Sequence, residues 1–280
     1  MRSPLAPGSP RDAKRYRRWI SSFGSYRNGV TASSIDNWIG LFRERQTDSD
    51  IAARILDAVD YYGQSQIYAA YRQSLRALGG WHREPEQRKG NWWFAAMSGS
   101  AGESGDSMLY NFRVANGLDA KKLNKLFVSR SDLFRHSMSE DDTVVLLDDF
   151  SGTGTQVCAA WNDPETSFGS LLAGAGKVYL ILVAASKAAR KRISDETQMR
   201  LVTAHELREG DNVFSEHCKH FTHTDRTRLL HYCKIADSRK PKGFGDCGFV
   251  VVFQHRSPNN SIPILHKDHE NWTGLFPRHD

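Results

Sequence analysis

Apolar positions early in the chain recur at helical spacing. Ile35, Trp38, Ile39 and Phe42 fall at i, i+3, i+4 and i+7, one face of a helix that Ser33 or Ser34 can cap. Asp36 in its first turn and Arg43 and Arg45 in its last suit the helix dipole. Asp48 or Asp50 opens a second helix with Ile51, Ile55, Val59 and Tyr62 on one face. A third carries Ile67, Tyr71, Leu75 and Leu78 and ends at Gly79-Gly80. Such stripes are core faces.

From about residue 86 the period changes. Trp92–Met97 reads as a strand, followed by a Ser/Gly loop from Ser98 to Gly105 and a helix bearing Met108, Leu109 and Phe112. Leu126–Ser129, Val144–Leu147, Val178–Ala184, Leu201–Ala204 and Phe249–Phe253 read as further strands. Apolar strands separated by helices predict an α/β fold whose mostly parallel sheet is covered on both faces, with ligands at the carboxyl ends of its strands. The predicted organisation is a basic disordered tail over 1–29, a helical domain over 30–85 and the α/β domain over 86–280.

Composition narrows the class. Hydrophobic residues make up 39% and charged residues 25% of the 280, and the mean hydropathy is -0.55, a soluble balance. The longest apolar run, Val178 to Ala185, has eight residues, and a membrane-spanning helix needs about 20. The Arg- and Pro-rich start is followed by no apolar stretch, so no secretory signal is expected. The net charge of +6 is uneven: residues 1–18 hold Arg2, Arg11, Lys14, Arg15, Arg17 and Arg18 against Asp12, a net +5. This segment is either a solvated terminus or an arm for nucleic-acid phosphates. Cys158, Cys218, Cys233 and Cys247 form no CxxC pair, and reduced thiols in the cytoplasm are expected.

The segment from Thr143 to Gln156 carries the chemistry. Four apolar residues lead to Asp148 and Asp149, then to Phe150-Ser151-Gly152-Thr153-Gly154-Thr155 and a helix bearing Val157, Ala160 and Trp161. Glycines let backbone N–H groups approach a phosphate, the helix adds its positive end, and Ser151, Thr153 and Thr155 add hydroxyls. The acids suit a ribose diol, a Mg²⁺ shell or a developing positive charge. The plain alternative is an α/β loop whose acids cap the helix. No GKS/T ending follows, so this is not a Walker loop. His217, Cys218, His220 and His223, with His231 and Cys233, offer zinc-type ligands, but their spacing fits no closed finger and no metal site is assigned.

Val144 to Gln156 resembles the phosphoribosyl-pyrophosphate (PRPP) motif of type I phosphoribosyltransferases. The resemblance implies ribose contacts from Asp148 and Asp149 and a 5′-phosphate cradle from Ser151, Gly152, Thr153, Gly154 and Thr155. It also implies a pyrophosphate loop at Ser98, Gly99 and Ser100, a basic pyrophosphate contact at Arg130, and a position near the base for Lys187. Lys187, Arg190, Lys191 and Arg192 read more readily as a solvated helix face. Between Arg130 and the acidic strand, residues 131–142 hold Arg135 and His136 but no glycine. Many members carry a longer mobile catalytic loop there, so classical nucleotide synthesis is put in question.

More broadly, the helical start, the acidic motif and the end from Gly243 to Pro263, followed by Trp272 and Phe276-Pro277-Arg278, resemble the phosphoribosyltransferase-like PRTase-CE group. His255 to Pro263 carries its His-x-x-Pro-Asn-Asn-x-x-Pro run. The resemblance implies an effector of bacterial antiphage systems, some of them retrons. Three function classes follow. The first is an enzyme acting at ribose C1 of PRPP or a nucleotide with Mg²⁺, with Asp148, Asp149 and Arg130 as catalytic residues. The second is a catalytically inactive sensor of the same ligands. The third is a subunit of a reverse transcriptase–nucleic acid complex. No membrane partner is expected. His255, at the end of a predicted strand, is either a pocket acid–base or a structural histidine.

Overall fold

The computed structural model describes residues 12–27, 29–97, 105–164 and 167–278. By backbone contacts the chain divides into one unit of Met1–Gln64 with Arg208–Asp280 and another of Ser65–Leu207. This division differs from the expected boundaries at 29 and 85: the early helices share a unit with the end of the chain.

In the first unit, α1 (Ala13–Phe23), α2 (Ala32–Ile39) and α3 (Asp48–Ala58) precede a short strand, β1 (Asp60–Tyr62). The segment expected as a disordered tail is helical from Ala13. Asp12 caps it by accepting from the Lys14 amide, and Trp19 and Phe23 are buried. Its arginines have local partners, since Arg15 and Arg18 both reach Asp57. The Trp19 indole N–H donates to the same carboxylate at 2.9 Å. Thr31, rather than Ser33 or Ser34, caps α2 through a reciprocal box with Ser34.

The helix expected to run through Val59 and Tyr62 stops at Ala58, because the next residues pair in parallel with β6 (Val251–Phe253). The segment expected to close the main sheet thus joins β1 instead. α10 (His223–Ala236) packs with α3. Ile35, Trp38, Phe42, Ile55, Leu229, Tyr232 and Phe276 form one buried cluster with Trp19.

In the second unit, α4 (Gln64–Arg76), of which the unit takes the part from Ser65, precedes β2 (Trp92–Ala96), α5 (Gly105–Ala115), α6 (Arg130–Leu133), β3 (Thr143–Ser151), α7 (Thr155–Asn162) and α8 (Phe168–Leu171). β4 (Lys177–Ser186), α9 (Lys187–Glu196) and β5 (Arg200–Leu207) complete it. The four strands are parallel in the order β2-β3-β4-β5. β5 is half-exposed along most of its length.

The expected strand at Leu126–Ser129 is reduced to one parallel bridge, Phe94 with Phe127, after a 3₁₀ turn over Lys121–Leu126. That bridge lies on the side of β2 away from β3. The order of segments across the sheet is therefore Phe127, β2, β3, β4, β5, and chain direction across the sheet reverses between β2 and β3. In a doubly wound sheet the ligand crevice opens outside the carboxyl ends at that reversal.

Both faces are covered, as the continuous apolar strands require. Val144, Leu146, Leu180 and Leu182 pack with Val157 and Trp161 of α7, Phe168 of α8 and Ile193 of α9. On the opposite face Phe94 meets Phe112 of α5 at 5.2 Å, and Phe112 meets Tyr71 of α4 at 5.5 Å. Each such ring contributes roughly 1.5–3 kcal/mol by leaving water.

Candidate active site

β3 does not end at Leu147. It stays in register with β4 through Asp148 opposite Leu182, Phe150 opposite Ala184 and Ser151 opposite Ala185. The acids are thus the last part of a strand, and the connection to α7 shrinks to Gly152-Thr153-Gly154. Gly154 has φ +75 and starts the helix, a backbone region costly for residues with a Cβ. A Cβ there would also lie 3.2 Å from the Ala189 carbonyl oxygen and 3.3 Å from the Arg192 Cβ.

The turn is tied internally. The Gly154 amide donates to the Ser151 hydroxyl at 3.2 Å and the Thr155 amide to the Thr153 hydroxyl at 3.3 Å. The Thr153 hydroxyl donates to that of Thr155 at 2.9 Å. Two of the cradle's amides thus already hold hydroxyl oxygens. A phosphate would replace those weak acceptors with a charged one and leave the hydroxyls to rotate and donate.

Successive residues on a regular strand face opposite sides. Asp148 shares the side of Val144 and Leu146, and Asp149 that of Val145 and Leu147. A single ligand touching both must therefore sit over the end of the sheet. Asp148 is 9% exposed and Asp149 half-buried. The Asp149 amide donates to the Asp148 carboxylate at 2.9 Å. Tyr71 donates its hydroxyl to the Asp148 carbonyl at 3.2 Å. Burial first, then the charges of Asp149 and Asp148, push the Tyr71 phenol far above its ordinary range and keep it protonated.

Three contributors escape a reading by motif. Tyr71 lies on α4, far earlier in the chain. Ser186, buried at the end of β4, donates to the Gly152 carbonyl at 2.6 Å and accepts from the Ala189 amide at 2.9 Å. Arg192 donates to the Thr155 hydroxyl at 2.7 Å. The Arg192 contact shows that the cationic face of α9 is not only solvated, although Lys191 pairs with Asp195 and Arg190 with Glu206. Arg192 was visible in the charge run; Tyr71 and Ser186 carried no local signal.

Arg130 begins α6, just beyond the Phe127 bridge and at the same carboxyl edge as the acids. Its guanidinium lies 4.4 Å from the Phe168 ring centre and 5.5 Å from that of Phe134, so packing over rings fixes its position. Ser98, Gly99 and Ser100 lie outside the described residues. Met97, immediately before them, donates its amide to the Leu147 carbonyl at 2.8 Å and so lies beside the Leu147–Asp148 peptide. Lys187 opens α9 at the same carboxyl edge. Burial and Glu196 push the Cys158 thiol up to about 11, consistent with a packing role rather than a nucleophile.

His255 belongs to the other unit, where its carbonyl accepts from Arg27 Nε at 2.8 Å. Among the described residues no three His, Cys, Asp or Glu side chains converge as a metal cage. The residues at the β3 end fit Mg²⁺ in one sense only. Asp148 and Asp149 supply one or two hard oxygens, and a ligand's phosphates would have to supply others.

The fold and the site define a doubly wound α/β protein with a pair of acids running into a Gly-Thr-Gly turn at the reversal of its sheet. A family model, PRTase-CE, matches residues 35–278, and the chain belongs to that phosphoribosyltransferase-like family. A comparison with curated proteins gave no match. No helix among the described residues is long and apolar enough to cross a membrane.

Proposed function

We propose that the chain binds PRPP or a nucleotide at the carboxyl end of β3 and acts at ribose C1, by transfer or hydrolysis, as the effector of a bacterial antiphage system. The observation that carries this reading is the direct junction of Asp148-Asp149 with a three-residue turn into α7 at the sheet reversal. A 5′-phosphate on Ser151 to Thr155 would hold the sugar over the strand end, with its hydroxyls toward the acids.

The C1–O bond to pyrophosphate breaks and the pyrophosphate leaves with the electron pair. An acceptor nitrogen or a water oxygen bonds to C1 and gives up its proton to solvent or to the departing pyrophosphate. Asp149 or Asp148 steadies the positive character at C1. Arg130 and the Ser98–Ser100 segment meet the leaving pyrophosphate. Asp148 or Asp149, together with the ligand's phosphates, would hold a Mg²⁺, which would supply neutralisation of the leaving charge. A cytoplasmic role, in some systems beside a reverse transcriptase and its nucleic acid, accompanies this reading through the family resemblance.

Pyrophosphate release from PRPP tests the chemistry. Wild type should turn over, and Asp148→Asn and Asp149→Asn should each lose at least a hundredfold in rate. Tight binding of PRPP without release by wild type would instead favour a sensor. The glycine-free segment 131–142 favours that second reading. Phage challenge of cells carrying wild type or Asp149→Asn tests the defence role. Equal plating efficiency with and without the wild-type protein would remove it.

A further inference from the structure

The Pro258-Asn259-Asn260 turn that marks the family resemblance takes no part in the site above. It contributes Asn259 to the wall of a cavity in the unit that holds both chain ends. The Phe244 amide donates to the Asn259 carbonyl at 2.8 Å, and the Asn260 side-chain amide donates to the Phe244 carbonyl at 3.0 Å. Gly243, at φ +80, lets the two segments touch: a Cβ there would lie 2.6 Å from the Asn260 carbonyl oxygen. The result is a cavity of about 360 Å³ lined by Lys240, Lys267, Arg278, Phe244, Pro263 and His266, with Asp237 and Asp268 also on it.

Its lining carries a net positive charge of one, Lys240, Lys267 and Arg278 against Asp237 and Asp268. Asp237 is engaged within the protein, and a phosphate would share Lys267 with it. It accepts from the Arg239 and Lys240 amides at 3.0 and 3.1 Å and pairs with Lys267 at 3.0 Å. Asp268 is exposed. Arg278 is fixed by donating to the Ser257 carbonyl at 3.1 Å, and Lys240 lies over the Phe244 ring at 4.9 Å. The buried His266 ring lies among these charges. Burial first, then Arg278 and, more weakly, Lys267, hold its imidazole down at about 4 against the Ser261 carbonyl and Asp237. Phe244 and Pro263 give the cavity an apolar wall.

We propose that this cavity binds a phosphorylated small molecule, its phosphate on Lys240, Lys267 and Arg278 and its ring against Phe244 and Pro263. The volume is in the range of small-ligand sites. An arginine and two lysines on one cavity lining supply the kind of donors that a phosphate's oxygens accept. This site stands apart from the reading at β3, and none of its residues belongs to the four-stranded unit.

Calorimetric titration of the full chain with AMP, inorganic phosphate and adenosine tests it. AMP should bind, phosphate should compete and adenosine should bind at least tenfold more weakly. Lys240→Glu should weaken AMP at least tenfold, and Lys240→Ala by less, with unchanged melting temperatures because Lys240 is exposed. Thr153→Glu, which puts a carboxylate into the β3–α7 turn, should leave this binding intact. AMP binding unchanged in Lys240→Glu but lost in Thr153→Glu would assign the anion to the other site and overturn the proposal. Absence of AMP and phosphate binding in wild type would overturn it too, as would binding of a single-stranded oligonucleotide alone.

Discussion

At the scale of single residues, the site rests on side chains that hold the backbone still. Ser186 bonds to a carbonyl and an amide at once while buried. Ser186→Ala should therefore cost about 1–3 kcal/mol by leaving a buried carbonyl unsatisfied, read as a lowered urea midpoint with unchanged slope. Gly154→Ala should cost about 1–2 kcal/mol from its φ of +75, on the scale of left-handed backbone strain. The closeness of the Ala189 carbonyl makes relaxation difficult, and ligand binding at the turn should fall with stability. His266 carries a pH effect. Its folded value near 4 lies below the ordinary 6.5, so the unfolded chain takes up its proton first. Its contribution is complete above pH 6.5 and is lost as pH falls toward 4. Between pH 7.5 and pH 5 this amounts to about 2 kcal/mol, and denaturant titrations of wild type and His266→Gln at the two values would reveal it as a smaller pH dependence in the variant.

At the scale of elements, α3 and α10 are joined by charge as well as by apolar contact. Asp48, fully buried, accepts from Arg228 at 2.6 Å and from the Tyr232 hydroxyl at 2.7 Å. Burial alone would raise its carboxyl, but these bonds bring it below the usual range. Arg54 grips Asp225 through two bonds of 2.8 and 2.7 Å, and these, ahead of the opposing burial, hold that carboxyl far below its usual range. Asp48→Ala strips Arg228 of its buried partner and should cost about 3–5 kcal/mol, measured by chemical denaturation. None of this was legible in the sequence, where Asp48 read as a helix opener: a carboxylate's partners 180 positions away leave no local pattern. The helices themselves were legible, because Ile35, Trp38, Ile39 and Phe42 can share one apolar face only in a helix. The continuation of a helix through Val59 and Tyr62 was misread, because Asp60–Tyr62 takes its conformation from β6, far along the chain. The acidic strand and the glycine turn were readable because strand, acids and turn are contiguous; Tyr71 and Ser186 were not.

At the scale of the whole molecule, one unit is assembled from both ends of the chain and the other from its middle. The basic start of the chain illustrates the limit of composition. Arg15 and Arg18 read as part of a solvated terminus or a phosphate-binding arm, yet they serve Asp57 beside a buried tryptophan. Trp19→Ala should cost about 3–5 kcal/mol and lower the melting temperature, an effect a loose arm could not produce.

That interleaving has a consequence during synthesis. The apolar faces of α1 to α3 leave the ribosome long before α10 and β6 exist. At roughly 5–20 residues per second they wait on the order of ten seconds or more for the surfaces that cover them. A message cut short after β5 would yield a product with a complete parallel sheet and three helices bearing naked tryptophans, a ready target for chaperones and proteases.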